Sequence, residues 1–112
     1  MPLEIGITSL HGMEVLPYKV VENKTKDYYS TLYKTLNNAI DSAKKYIIKM
    51  DYPYYFVHFK ETDIPGHDGK PLDKIKMIEL IDKKFFSFIK EIPYVQVVVT
   101  GDHSTPCNLK NH

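Results

Sequence analysis

The chain has 112 residues, 43% of them hydrophobic and 26% charged, a composition typical of one small globular domain rather than a disordered segment. The formal net charge is only +1 and every basic residue is a lysine, which disfavours a nucleic-acid partner because arginine is the preferred residue for bidentate recognition. No apolar run is long enough to span a bilayer, and residues 1–10 lack the features of a signal peptide. Cys107 is the single cysteine, so we expect a cytoplasmic protein without disulfides.

The first half of the chain predicts the order strand, helix, strand. Residues 13–16 (MEVL) are mostly apolar and end before Pro17, which is typical of a short strand. Residues 27–49 are expected to form a long helix, because apolar side chains recur at helical spacing and lysines gather near its end. Residues 54–59 are aromatic with one valine among them and predict a second strand. The apolar residues of the predicted helix are Leu32, Leu36, Ala39, Ile40, Ala43, Ile47 and Met50.

The second half of the chain predicts a loop, a helix, a strand and a final loop. Proline and glycine residues indicate a loop over residues 61–72, and residues 73–92 are expected to form a helix with one apolar face. Residues 95–99 are almost entirely valine, which is typical of a strand buried on both faces of a parallel sheet. Residues 101–112 form a polar loop. The apolar face of this helix is predicted to consist of Ile75, Ile78, Ile81, Phe85, Phe88 and Ile89.

The alternation of strands and helices predicts an α/β fold with a parallel sheet, in the order β-α-β-α-β, with right-handed crossovers. The chain contains no internal repeat and no low-complexity segment. We therefore expect residues 1–112 to be one partial domain with no second domain. The chain stops in a loop soon after the last predicted strand, which favours a truncated domain over a complete one.

Two polar loops follow predicted strands, residues 62–69 with the sequence TDIPGHDG and residues 100–112 with the sequence TGDHSTPCNLKNH. Parallel strands would bring both loops to the same edge of the sheet, where α/β proteins bind their ligands. A mixed set of carboxylates and imidazoles suits Mn²⁺, Zn²⁺ or Mg²⁺, and the size of the set favours two metals sharing a cleft, as in phosphoryl transfer. The set consists of Asp63, His67, Asp68, Asp102, His103 and His112.

Three stretches carry a resemblance to a known family: residues 57–69 (VHFKETDIPGHDG), residues 76–83 (KMIELIDK) and residues 97–112 (VVVTGDHSTPCNLKNH). They resemble the archaeal branch of the cofactor-independent phosphoglycerate mutases, members of the alkaline phosphatase superfamily. The resemblance is specific over residues 54–112 and looser before them. It implies an alkaline-phosphatase-like domain, two divalent metals and the interconversion of 2-phosphoglycerate and 3-phosphoglycerate through a phosphoserine.

The resemblance also implies roles for individual residues. Asp63, His67 and His112 match the ligands of one metal, and Asp102 and His103 match ligands of the other. In the family an upstream aspartate and the nucleophilic serine complete the second metal, and a capping domain covers the substrate. No counterpart of the serine or of the capping domain is found in this chain, so no catalytic residue is assigned. The resemblance therefore implies the metal-binding part of a mutase, which either associates with itself or requires the missing N-terminal half.

Simpler interpretations of the same residues are kept beside this hypothesis. Aspartate and histidine also suit solvated turns, and Asp68 is expected to support its turn rather than bind metal. Lys60 could reach a substrate phosphate or remain a solvated lysine. Ser104 and Thr105 are expected to hydrogen-bond their loop rather than act as nucleophiles. For the whole chain, the alternatives are a metal-dependent hydrolase of the same superfamily and a non-catalytic module or remnant that docks on a partner chain.

Overall fold

The computed structural model describes residues 2–16, 18–19 and 21–111. Helices joined by extended segments make up the described part of the chain. The elements are α1 (Pro2–Leu10), α2 (Tyr28–Lys49), α3 (Ile64–His67), α4 (Pro71–Ile81), a π-helical turn (Asp82–Phe86) and α5 (Ser87–Lys90). The last three elements follow one another without a break, so residues 71–90 form one helical stretch.

The hydrophobic core lies between α2 and the helical stretch 71–90. Both predicted helices are confirmed, and α2 begins at Tyr28, one residue after the predicted start. Burying one large apolar side chain stabilises the fold by about 1.5–3 kcal/mol, so this interface dominates the stability of the described residues. The buried apolar residues are Tyr28, Leu32, Leu36, Ile40, Met77, Leu80, Ile81 and Phe85.

The apolar face predicted for the second helix is partly wrong. Ile75 and Ile78 were expected in the core, yet each is 49% exposed. Met77 and Leu80, which were not assigned to that face, are buried instead. The reason is that helix spacing alone does not say which of two apolar stripes meets α2, and the contact with α2 selects the stripe containing Met77.

The π-helical turn keeps the buried residues of the helical stretch aligned. Its wide geometry is seen where the backbone amide of Ser87 donates to the carbonyl of Asp82, five residues earlier. In an α-helix every step of four residues overshoots a full turn by about 40°. A π turn holds more residues and takes this drift back. Phe85 in the turn and Ile89 after it therefore stay on the side of the stretch that Met77 and Ile81 present to the core.

The three predicted strands are not found as paired strands. No β-bridge or strand is present among residues 2–16, 18–19 and 21–111, so the predicted parallel sheet is absent from the described chain. Residues 95–99 were expected to be buried on both faces, but Val98 is 81% exposed and Val99 is 71% exposed. A central strand becomes buried only when neighbouring strands pair with its backbone and other elements cover its faces. The described residues supply neither.

An open groove lies beside the core, between α1, α2 and the extended residues 13–16 and 52–59. Its volume is about 1100 Å³ and its lining is mostly apolar and aromatic. The helix α1 was not predicted, and its side chains Leu3 and Leu10 are largely exposed. In the described part of the chain, no helix has the length and hydrophobicity needed to cross a membrane.

The assigned core predicts that leucine-to-alanine substitutions at a buried and at an exposed position lower the free energy of unfolding by different amounts. Leu36 is fully buried, so Leu36→Ala should lower the free energy of unfolding by about 3 kcal/mol through lost contacts and a cavity. Leu72 in α4 is 71% exposed, so Leu72→Ala should change that free energy by less than about 0.5 kcal/mol. Urea unfolding followed by circular dichroism measures both, and equal losses would contradict this core.

Candidate metal site

The short helix α3 brings the side chains of Asp63 and His67 close together. Asp63 precedes the helix and His67 ends it, so the two residues are one helical turn apart and share a face. The backbone amide of His67 donates to the carbonyl of Asp63 at 3.2 Å, which closes that turn. As a result, Nε2 of His67 lies 3.5 Å from Oδ1 of Asp63. The first loop therefore presents a carboxylate and an imidazole together.

The second loop presents an equivalent pair, formed by Asp102 and His103. Oδ1 of Asp102 accepts a hydrogen bond from the backbone amide of His103 at 2.9 Å, and Oδ2 lies 3.3 Å from Nε2 of the same histidine. The hydrogen bond from the His103 amide lowers the pKa of Asp102, which favours its ionised form. Asp102 nevertheless remains open, with 71% of its side chain exposed.

The two loops meet, as predicted, but they do so through direct contacts rather than along a sheet edge. The hydroxyl of Thr105 donates to Oδ1 of Asp63 at 2.6 Å, and the carbonyl of Thr105 accepts from Nζ of Lys74 at 2.8 Å. Gly66 makes this approach possible, because a Cβ at that residue would lie only 2.5 Å from the carbonyl oxygen of Thr105. The expectation that Thr105 hydrogen-bonds the loop is confirmed.

Asp63 is held in its ionised form by two hydrogen-bond donors. Burial alone would raise its pKa, but Nζ of Lys60 donates to Oδ2 at 2.8 Å and Thr105 donates to Oδ1. Together with the charges of Lys60 and His67, these bonds lower the pKa of Asp63 to about 2. Lys60, for which a substrate contact or a solvated position was predicted, therefore places its ammonium against a candidate metal ligand.

Asp68 supports the loop from behind. Its carboxylate pairs with the ammonium of Lys24 and accepts a hydrogen bond from the hydroxyl of Tyr29, which lies on α2. The hydrogen bond from Lys24 is the largest of the effects that lower the pKa of Asp68. These contacts connect the end of α3 to α2, and the expectation that Asp68 does not bind metal stays a prediction.

The described side chains form two pairs of candidate metal ligands rather than a complete metal site. These two donor pairs are Asp63 with His67 and Asp102 with His103. Across residues 2–16, 18–19 and 21–111, no group of three or more histidine, cysteine, aspartate or glutamate side chains is arranged to hold a metal ion. His112, the predicted third ligand of one metal, lies outside the described residues. The chemistry of each pair, a carboxylate oxygen beside an imidazole nitrogen, fits a divalent metal.

Sequence reasoning missed one buried acid near the site. Glu61 was assigned to a polar loop, yet it is only 1% exposed, and its Oε1 accepts a hydrogen bond from the hydroxyl of Tyr18. Its Oε2 has no hydrogen-bond partner within the described part of the chain. Nothing in the sequence signals this burial, because a glutamate in a loop rich in glycine and proline is ordinarily exposed.

Known proteins match this chain over most of its length. A profile of the metalloenzyme superfamily matches residues 7–112. The chain is 35% identical over 111 residues to the 2,3-bisphosphoglycerate-independent phosphoglycerate mutase of Picrophilus torridus, covering 99% of this chain and 25% of that protein. It is 45% identical over 109 residues to the enzyme of the same name from Thermococcus kodakarensis, covering 96% of this chain and 24% of that protein. No solved structure matches. The chain thus spans about a quarter of the length of the curated relatives it matches.

The contacts of Asp63 predict how its pKa responds to a substitution. Lys60→Met should raise the pKa of Asp63 from about 2 towards its ordinary value of 3.8, because an ammonium that favours the ionised form is removed. Carboxyl ¹³C NMR of the metal-free chain measures this shift, and Lys34→Met on the exposed side of α2 is the matched control.

The same low pKa has a consequence for stability. The folded pKa of Asp63 lies below 3.8, so the ionised carboxylate stabilises the fold fully above that pH. This stabilisation should be lost as the pH falls from 3.8 to about 2, and Lys60→Met should reduce it. A pKa of Asp63 that is the same in the native chain and in Lys60→Met would contradict the assignment.

Proposed function

Because the chain belongs to the metalloenzyme superfamily, we propose that it is the metal-binding part of a cofactor-independent phosphoglycerate mutase. The reaction is the interconversion of 2-phosphoglycerate and 3-phosphoglycerate by transfer of a phosphoryl group through an enzyme serine. The observation that supports this proposal is the hydrogen bond from Thr105 to Asp63, which joins the loop of Asp102 and His103 to the loop of His67. The matches to the mutases named above cover 99% and 96% of this chain, which also supports the proposal.

Membership of this superfamily implies dependence on a divalent metal. We propose two metal ions, with Mn²⁺, Zn²⁺ and Mg²⁺ as the candidates. One ion would be held by Asp63, His67 and His112, and the other by Asp102 and His103. Two ligands that each lie about 2.1 Å from one ion are at most about 4.2 Å apart. The separations of 3.5 Å and 3.3 Å within the two described pairs satisfy that limit.

The metals would supply positive charge for the transferring phosphoryl group and lower the pKa of the attacking oxygen. The chain's own residues would hold and orient those metals. Asp63 is already ionised and hydrogen-bonded, so it can bind a cation without first losing a proton. Lys60, now paired with Asp63, is near enough to the site to turn to a substrate phosphate when a metal takes over the carboxylate.

We propose that the part of a mutase that corresponds to the remaining three quarters of the relatives supplies the serine and completes the sheet. The same part would cover the exposed apolar surfaces. In its presence, residues 95–99 would form a strand of the parallel sheet expected for an alkaline-phosphatase-like domain. The support is the exposure of Val98 and Val99 beside an open, mostly apolar groove. We also propose a cytoplasmic location, which is the compartment expected for a phosphoglycerate mutase.

Metal binding by the isolated chain is the first test of this function. The metal-free chain should bind Mn²⁺ and Zn²⁺ in an isothermal titration, and His67→Ala or Asp102→Ala should weaken binding by about tenfold or more, since each removes one of few donors. His11→Ala is the matched control, because this histidine is exposed at the end of α1. Absence of binding, or equal binding by all variants, would contradict the ligand assignment.

Turnover is the second test. The chain alone should show no mutase activity in a coupled assay with Mn²⁺, because it lacks an assigned phosphoryl acceptor. Mixed with the Thermococcus kodakarensis mutase from which the matching quarter has been deleted, it should restore activity, whereas the Asp102→Ala chain should not.

Other outcomes of the assay discriminate between functions. Mutase turnover by the purified chain alone would contradict the proposed division of labour. Metal-dependent hydrolysis of an aryl phosphate without mutase activity would favour a hydrolase of the same superfamily. Light scattering that shows stable self-association, with no complex between the two pieces, would contradict the proposed occupant of the apolar surfaces.

A further inference from the structure

Thr105 occupies the junction of the two donor pairs. Its side chain is buried, with 5% of the residue exposed, and its hydroxyl has a partner on either side. One partner is Oδ1 of Asp63 at 2.6 Å, and the other is Nδ1 of His103 at 3.2 Å. The bond from Lys74 to its carbonyl holds its backbone in place. The hydroxyl therefore connects a residue of the first pair with a residue of the second.

The protons of this connection can be assigned by counting donors. A threonine hydroxyl has one proton to donate and lone pairs to accept with. The hydroxyl of Thr105 donates to Oδ1 of Asp63, so its single proton points to Asp63. The hydroxyl oxygen then faces His103 as an acceptor, and Nδ1 of His103 must donate. The carbonyl of Ser104, 3.4 Å from the same nitrogen, is likewise an acceptor.

A neutral histidine that carries its proton on Nδ1 has its lone pair on Nε2. In His103 that nitrogen lies 3.3 Å from Oδ2 of Asp102. The lone pair of Nε2 then lies beside the carboxylate of Asp102, so one cation can bind both. Histidines that bind metals usually donate their other ring proton to a nearby oxygen, which fixes the ring and the tautomer. The oxygen of Thr105 lies where it can accept that ring proton from Nδ1 of His103.

We propose that Thr105 is a positioning residue for both donor pairs. Its one hydroxyl orients the carboxylate of Asp63 and fixes His103 in the tautomer whose Nε2 carries the lone pair that can bind a metal. The inference rests on the proposed metal-binding function. The hydrogen bonds that join His103, Thr105 and Asp63 are contacts within the chain, so they can be tested separately.

A merely structural role of Thr105 can be distinguished from this one. Its methyl group packs against the backbone at Gly66, where an added Cβ would be 3.0 Å from Cγ2. Thr105→Val keeps the shape and this packing but removes the hydroxyl. Thr105→Ser keeps the hydroxyl and removes the methyl group. A positioning role predicts that only the valine variant is impaired, whereas a packing role predicts the reverse.

The first readout is the tautomer of His103 in the metal-free chain. Long-range ¹H–¹⁵N NMR of chain labelled at histidine nitrogens, at a pH where the ring is neutral, distinguishes a proton on Nδ1 from one on Nε2. His103→Ala assigns the signals. The native chain and Thr105→Ser should carry the proton on Nδ1, and Thr105→Val should shift towards Nε2. A native His103 with its proton on Nε2 would overturn the proposal even if the valine variant failed to fold.

The second readout is the affinity for Mn²⁺ by isothermal titration. Thr105→Val should weaken binding by about 10- to 100-fold, the usual effect of removing a partner that orients a metal ligand. Thr105→Ser should stay within about threefold of the native chain. Unchanged affinity in a folded Thr105→Val would overturn the positioning role. If the native chain binds no metal while the tautomers follow the expected pattern, the proposed function fails and the hydrogen-bonded connection stands.

Discussion

The contact between α2 and the helical stretch 71–90 is the constraint on which the described structure depends. The buried apolar side chains come almost entirely from these two elements, with Leu32 and Leu36 on one side and Met77 and Ile81 on the other. The extended segments contribute little to this core. The loop of Asp63 and His67 is attached to both sides of this interface. It leads directly into α4, and Asp68 connects it to α2.

The two donor pairs inherit different degrees of order from this arrangement. Asp63 and His67 belong to a helical turn that is continuous with the core, and Asp63 is fixed by two donors. Asp102 and His103 lie in a loop whose preceding residues are exposed, and contacts of Thr105 with His103 and with Lys74 connect this loop to the helical stretch. A ligand set gains affinity when its members are held in place before the metal arrives. The first pair meets that condition better than the second.

Features set by the local sequence, such as α2, were predictable. Features that depend on contacts with distant residues were not. Leu32, Leu36 and Ile40 repeat with the period of a helix, so α2 could be placed to within one residue. The valines of residues 95–99 indicate burial, but burial of a strand requires neighbours that a local pattern cannot supply. The meeting of the loops was predicted from a shared sheet edge, yet its cause is the close approach of Gly66 and Thr105. Neither that contact nor the burial of Glu61 has a counterpart in residue spacing.

The π-helical turn at Asp82–Phe86 lets the helical stretch absorb a change in its length. Such a turn is equivalent to one residue inserted into an α-helix. Deleting a single residue there would allow regular α-helix to form, and the segments on either side would keep nearly the same orientation. Ile89 would still pack against the core, and the segment that leads to Asp102 would leave in the same direction. A deletion in α4 has no such compensation and would rotate everything that follows by about 100°. The geometry of the site therefore tolerates a change of length at this turn better than in the regular helix before it.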